Sequence, residues 1–449
     1  MAGVTRYRTD RSWRAPGDGR VVIAGSPLRL FRLSAGGAHV LAAAQTGEQP
    51  PTELVTRMLD RFVDAGALHP LPEDGPFTAD DVTVVVPAYR TTPHPPAGTR
   101  VIVVDDASPE PLAVGPDVTT LRLPLNGGPA AARNAGLAEV TTPLVAFVDA
   151  DVVLPDGWLD GLLPHFADPR VALVAPRVRG SDDLGALAAY ERRNSPLDLG
   201  DEPARIAAGT RVSYVPAAAI VCRVDAVRSV GGFAPDMRVG EDVDLVWRLT
   251  DAGHRCRYEP TVVVQHHPRP DLTALLRQRF GYGRSAGPLA RRHPGALAPV
   301  RMSGWSAGVW ALVALRRPVL ALALAAGTTV ALRRKLADLP TQEVARLTLL
   351  GHLGAGGQLA QATTRAWWPV AAVAALVSRR ARTALLAALA VPPLVDAARR
   401  RSTAAIVDAP LRWLDEGAYC AGVWRGAWDE RTAEPLLPSF SAWPPRGDR

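Results

Sequence analysis

The stretch LVAFVDADV, residues 144–152, carries an apolar run into two carboxylates one residue apart, Asp149 and Asp151. Alternation along an extended chain points both side chains the same way, and unpaired carboxylates are rare in a core. A strand end facing a cleft suits them, and a hard divalent cation suits them better, because such ions take oxygen ligands. An acidic turn would read the same in isolation, so the rest of the chain decides. A second acidic pair, Asp105–Asp106, follows the run VIVV, and a third, Glu241–Asp242, stands in GEDVDLVWRL. Asp244 falls on another face of that helix and serves as a cap or a partner for Arg248. His266 and His267 follow the strand-like VVVQ.

Hydrophobic patterning gives the elements that must position these groups. From 82 to 152, VTVVVPAY, RVIVVDDAS, VTTLRLP and LVAFVDAD are strands, with one helix through GPAAARNAGLAEV. Continuous Val/Ile strands joined by crossovers imply a parallel α/β sheet. Ligands of such sheets gather at the carboxyl ends of strands, and the acidic pairs at 105–106 and 149/151 both stand there, facing one cleft. The first connection, RTTPHPPAGT, is short and proline-rich, so its helix is expected to be vestigial. Residues 20–72 form a small unit: a hairpin of VVIAG and LRLFRL, then two helices with Ser34 and Thr52 as N-caps and Gly66 as a stop. An acidic linker, 71–81, follows.

Beyond 269 the pattern changes. DLTALLRQRFGYGRSAG reads as an amphipathic helix, and 318–332, 366–377 and 384–395 are strongly apolar with Arg at their flanks. Each falls short of the ~20 residues that span a bilayer upright. Interfacial, re-entrant, marginally spanning and buried helices all remain open, with membrane association favoured. The Pro-rich tail, 433–449, reads as disordered. At 449 residues the chain is long enough for two or three domains. A net charge of +7 comes without a dense basic block, which argues against nucleic acid and for a membrane surface or an anionic substrate. Three scattered cysteines, Cys222, Cys256 and Cys420, indicate neither a disulfide framework nor a zinc site. The first residues show no apolar signal segment.

VVVPAY, VVDDAS, LNGGPAAARNAGL, FVDADV, GGF and GEDVDLVWRL occur in the order and spacing of the GT-A, family 2 glycosyltransferases, which residues 82–285 resemble. That resemblance implies an α/β, Rossmann-like GT-A domain and inverting transfer from a nucleotide-sugar donor. It implies that Asp149 and Asp151 hold Mn2+ or Mg2+ on the diphosphate, with a histidine, His267, as third ligand. Pro87, Tyr89, Asp105, Asp106, Asn126, Gly128, Arg133, Asp149 and, from a loose match at RQRFGYGR, Arg279 would bind the donor. Asp242 would be the general base, with Glu241 positioning it. The unit at 20–72 resembles PqqD-like winged-helix domains that bind precursor peptides.

The assembled order is a winged-helix-like domain with linker at 1–78, a GT-A domain at 79–285, a membrane-associated helical region at 286–432 and the tail. It resembles the glycosyltransferases of mycofactocin biosynthesis. This implies glucose transfer from UDP-glucose onto a peptide-derived redox cofactor, or onto the precursor peptide, building a β-1,4-linked oligosaccharide at the cytoplasmic face of the membrane. A family 2 enzyme acting on a lipid or cell-wall acceptor would carry the same catalytic motifs. A nucleotidyltransferase would not need the Glu–Asp pair, and a non-catalytic scaffold would need neither it nor Asp-x-Asp.

Overall fold

The computed structural model describes residues 6–46, 52–93, 98–116 and 118–441. The chain divides into two compact units, 1–268 and 269–449. The division falls before the helix that carries Arg279, which therefore belongs to the second unit and not to the sheet that bears the acidic pairs.

The first unit begins with a small α+β subdomain. Strands β1 (Arg6–Thr9), β2 (Val21–Ala24) and β3 (Arg29–Arg32) precede helices α1 (Ala35–Thr46) and α2 (Glu53–Asp64), and β4 (Leu68–Leu71) closes it. β2 and β3 form the expected hairpin. β4 returns antiparallel to β1, a pair that the short, charged and proline-bearing segments RYRT and LHPL did not announce. Ser34 Oγ accepts from the N–H of Gly37 (3.1 Å) and Thr52 Oγ1 from that of Val55 (3.4 Å), satisfying helix-start donors. Phe62 stacks on Phe31, ring centroids 4.2 Å apart, at the centre of the subdomain's core.

The main sheet and its helices follow: β5 (Val82–Ala88), β6 (Arg100–Asp105), β7 (Thr119–Arg122), α3 (Pro129–Glu139), β8 (Leu144–Val148), β9 (Val152–Val153), β10 (Val171–Gly180), α4 (Ala186–Asn194), β11 (Ala204–Ile206), β12 (Ala219–Arg223), α5 (Val224–Ser229), α6 (Glu241–Asp251) and β13 (Arg255–His266). The strands lie in the order β11-β13-β10-β12-β8-β5-β6-β7, with β9 on β13. β8, β5, β6 and β7 run parallel, while β12 is antiparallel to both its neighbours. No helix occurs among the described residues of the β5–β6 connection. α3 alone crosses over the parallel half, and it sits close: a Cβ at Gly136 would lie 2.3 Å from Val85 Cγ1. On the other face Val82, Val84 and Val86 join Trp158, Leu162 and Phe166 in one buried cluster, so an irregular segment substitutes for the missing helices.

The second unit is helical: α7 (Leu272–Arg284), α8 (Ala286–Arg292), β14 (Arg301–Ser303), α9 (Gly304–Ala314), α10 (Pro318–Lys335), α11 (Thr341–Arg365), α12 (Trp368–Val377), α13 (Arg379–Arg400), α14 (Ala404–Val407), α15 (Ala409–Asp429) and β15 (Ser439–Ser441). α7 and α15 cross backbone to backbone at glycines. A Cβ on Gly283 would lie 2.0 Å from Tyr419 O, and one on Gly422 would lie 2.0 Å from Phe280 O. Two expectations change here. The third apolar segment is longer than the sequence suggested, since its flanking arginines are helical and α13 reaches 22 residues. The tail is ordered at least to Ser441, where β15 pairs with β14; residues 442–449 lie outside the described residues.

Candidate active site

β8 ends at Val148, and Asp149 follows with its N–H on the carbonyl of Ala218 (2.9 Å). The chain then turns back so that β9 pairs with the end of β13, setting His266 opposite Val152. That pairing brings His266 Nε2 to 3.3 Å from Asp151 Oδ2. His267 lies instead 3.5 Å from Asp183. The histidine beside the Asp-x-Asp pair is therefore His266, not the expected His267: β13 ends at His266, whose pairing with Val152 fixes its place, and His267 lies past the strand end.

Arg133, on α3, is 3% exposed. It donates to Asp149 Oδ1 and to Glu241 Oε1, both at 2.7 Å, with its guanidinium carbon 5.2 Å from the centre of the Phe233 ring. Reaching the donor's base or phosphate was the expectation. The guanidinium fork is instead committed to two carboxylates, coupling the end of β8 to the start of α6. Burial, reinforced by Asp151, holds the Asp149 carboxyl above its usual range in spite of Arg133.

Gly240, at φ +83°, turns the chain into α6 and places Glu241 and Asp242 in its first turn. Asp242 Oδ1 accepts from the N–H of Val243 (2.8 Å) and Oδ2 from that of Ala217 (3.3 Å). Burial, then the charge of Glu241, pushes its pKa up to about 7. A carboxylate so tuned is suited to take a proton near neutral pH. Asp244 pairs with Arg248, whose NH2 also donates to Gly232 O (2.7 Å).

Asp105 and Asp106 are spent on loop geometry. Asp105 accepts from the N–H of Ser108 (2.8 Å) and from Arg122 (2.9 Å). Burial opposes its ionisation, but these bonds outweigh it and hold its pKa below the usual range. Asp106 takes the N–H groups of Gly127 and Gly128, one on each oxygen at 2.8 Å. Ala107, between that pair and Ser108, has φ +57°, a left-handed conformation that non-glycine residues hold at a cost. Asn126 Nδ2 donates to Asp106 O (3.1 Å), and Asn126 Oδ1 accepts from Arg238 (3.3 Å). Gly128 caps α3 at φ +85°. Pro87 lies beyond the last β5–β8 pair, Val85↔Phe147, where its missing N–H costs no bond to β8. Tyr89 is 41% exposed at the same strand end.

Arg279 is elsewhere. It is buried in the second unit and donates to Asp415 (3.0 Å), so the expected donor contact is replaced by a charge pair between α7 and α15. Asn134 was not among the expected site residues; its amide clamps both backbone groups of Phe233 (2.8 Å each). The signal was present in GGF: a Cβ at Gly232 would lie 2.6 Å from Asn134 Oδ1.

Among the described residues no three His, Cys, Asp or Glu side chains gather into a ready-made metal cluster. Asp151 and His266 nevertheless fit two of the six positions of an octahedral site. Two octahedral ligands about 2.1 Å from an ion and at right angles stand about 3.0 Å apart, close to the 3.3 Å observed. The remaining ligands would come from phosphate or water.

The mixed sheet, its strand-end Asp-x-Asp and the facing Glu–Asp pair define a GT-A glycosyltransferase. Residues 92–228 match the family described as Glycosyl transferase family 2. Two relatives named pre-mycofactocin glycosyltransferase, from Mycobacterium tuberculosis strains CDC 1551 and H37Rv, are each 42% identical over 96% of this chain and 97% of theirs. The chain belongs to that family. Glycosyltransferase AglE of Haloferax volcanii is 28% identical over 35% of this chain and half of its own. Among solved structures, the mannosyltransferase PcManGT from Pyrobaculum calidifontis, in complex with GDP-Man and Mn2+, is 18% identical, covering 87% of this chain and 98% of its own at a TM-score of 0.39.

Proposed function

We propose that this glycosyltransferase moves glucose from UDP-glucose, with inversion, onto pre-mycofactocin, a peptide-derived acceptor, and extends it as a β-1,4-linked oligosaccharide. The observation that carries the catalytic part is the chain Asp149–Arg133–Glu241 at 2.7 Å per link, which sets a carboxylate with pKa raised to about 7, Asp242, beside the Asp-x-Asp strand end. The name of the 42%-identical relatives supports the acceptor; donor sugar and linkage rest on the family resemblance.

Asp242 takes the proton from the acceptor hydroxyl as its oxygen attacks the anomeric carbon. Glu241 and Arg133 keep that carboxylate in place. Asp151 and His266 would hold a divalent ion, Mn2+ or Mg2+, which when bound offsets charge on the departing diphosphate. Asp106 shapes the Gly127–Gly128 loop so that its backbone stands near the donor. The small subdomain is read as a PqqD-like peptide holder. The second unit is read as a membrane-surface region at the cytoplasmic face: Val319, Leu322, Leu376, Val377, Leu386 and Val407 are all exposed, and α13 is apolar enough to cross a membrane. These exposed helices also favour a second reading, a lipid-linked acceptor.

The test is transfer by the purified chain from UDP-glucose to pre-mycofactocin, with UDP release and product mass recorded. A hexose added to pre-mycofactocin supports the proposal. UDP release only with lipid-linked acceptors would replace it by the second reading.

A further inference from the structure

The contact between the small subdomain and the sheet carries more cations than carboxylates. Asp60 and Asp64 of α2 pair with Arg170 and Arg255, and Asp168 also pairs with Arg255. Arg257 lies on the same face of β13 as Arg255, and Arg205 of the edge strand β11 is its register partner. The turn after α2 roofs them: a Cβ at Gly66 would lie 3.4 Å from Arg205 Cβ. Among the described residues no hydrogen bond or ion pair engages either guanidinium. Arg257 is 6% exposed, and its NH2 is buried without a partner. Burial and the neighbouring Arg255 pull its pKa down to about 10 although Asp168 and Asp64 oppose them, and burial with Arg29 of β3 lowers that of Arg205 against the charge of Asp64. An enclosed, unpaired cation is costly, and like charges directly opposite on neighbouring strands repel. An anion between the two removes both penalties. Directly opposite residues have Cβ atoms about 5 Å apart, a spacing at which two guanidinium forks grip one carboxylate.

We propose that Arg205 and Arg257, with Arg29 at the rim, bind a carboxylate carried on a peptide segment at this junction. The site is separate from the catalytic carboxylates. Arg257 pairs with Val174 and His266 with Gly180, so the active end of the strand lies six residues of β10 further on (180 − 174 = 6), or about 20 Å. An extended segment of about six residues covers that distance. A peptide as the source of the carboxylate rests on the peptide-derived acceptor read above; the anion site rests on the arginines alone.

The experiment uses the full chain, with calorimetry and thermal unfolding at constant ionic strength. The probes are acetyl-tetraglutamate amide, acetyl-tetraglutamine amide and glutarate. Tetraglutamate should bind and raise Tm, and tetraglutamine should do neither. Arg205→Gln and Arg257→Met should each weaken tetraglutamate binding at least tenfold while UDP-glucose hydrolysis stays at the parent rate. Arg257→Met should also raise the Tm of the peptide-free protein. Equal binding of the two peptides, or undiminished binding by Arg205→Gln, overturns the site. Glutarate binding as tightly as tetraglutamate overturns the peptide as its source. Tetraglutamate binding together with failed transfer to pre-mycofactocin upholds the site and removes the acceptor reading.

Discussion

Asp242 combines a catalytic demand with a stability cost. Its folded pKa, about 7, lies above the ordinary carboxylate value, so the unfolded chain ionises first as pH rises. Stability associated with the neutral form is present below about pH 4 and is lost progressively up to about pH 7. Turnover runs the opposite way, because the base form appears only as pH passes through 7. The kcat profile should therefore show an acid limb with a midpoint near 7. Asp242→Asn should lower kcat by about 10²–10⁴-fold with UDP-glucose affinity retained, yet melt higher than the parent above pH 7, the gap closing below pH 4. Kinetics and calorimetry on one preparation check both. The histidines give a second contrast. His266→Ala should raise the Mn2+ concentration needed for half-maximal activity at least tenfold, and His267→Ala should leave it unchanged; the reverse result would restore His267. That Asp149/Asp151 end a strand and Glu241–Asp242 open a helix was legible, because residue type and spacing carry that placement locally; that Asp105 and Asp106 brace a loop was not. The choice between adjacent histidines was not, since it depends on the β9–β13 register, and neither were Arg133's two partners, one of which lies 108 positions away.

At the level of elements, close approach matters more than composition. α3 serves the parallel half of the sheet alone and rests on it through Gly136. Gly136→Ala should destabilise the protein by about 1–3 kcal/mol, the usual cost of overpacking, and lower Tm without altering the pH midpoint of turnover. The α7–α15 crossing is tighter, because the obstacle is backbone and cannot rotate away. Gly422→Val should cost at least as much, and proteolysis should then open the second unit while the first stays resistant. Strong patterns such as VTVVVPA, the hairpin and the two small helices were readable from hydrophobic period and caps. β1, β4 and β15 were not: each has three or four residues and exists only because a distant partner supplies its hydrogen bonds. Helix ends also escaped, since arginines that look like flanks continue the turn in α13.

For the whole molecule, the division between units sets what each can do. The second unit exposes Val377 at 86% and Leu376 at 79%. A chain recovered from cells should sediment with membranes and require detergent for release, and full recovery in the aqueous fraction would exclude a membrane-bound second unit. Among the described residues α7 and α15 are the first and last long helices of that unit, and β14 pairs with β15. The ribosome must therefore deliver residues up to about Ser441 before this unit can close, whereas every strand of the catalytic sheet has emerged by His266. Nascent chains arrested before α15 should already hold a protease-resistant catalytic fragment, with the helices behind it still dependent on chaperones or lipid for shelter.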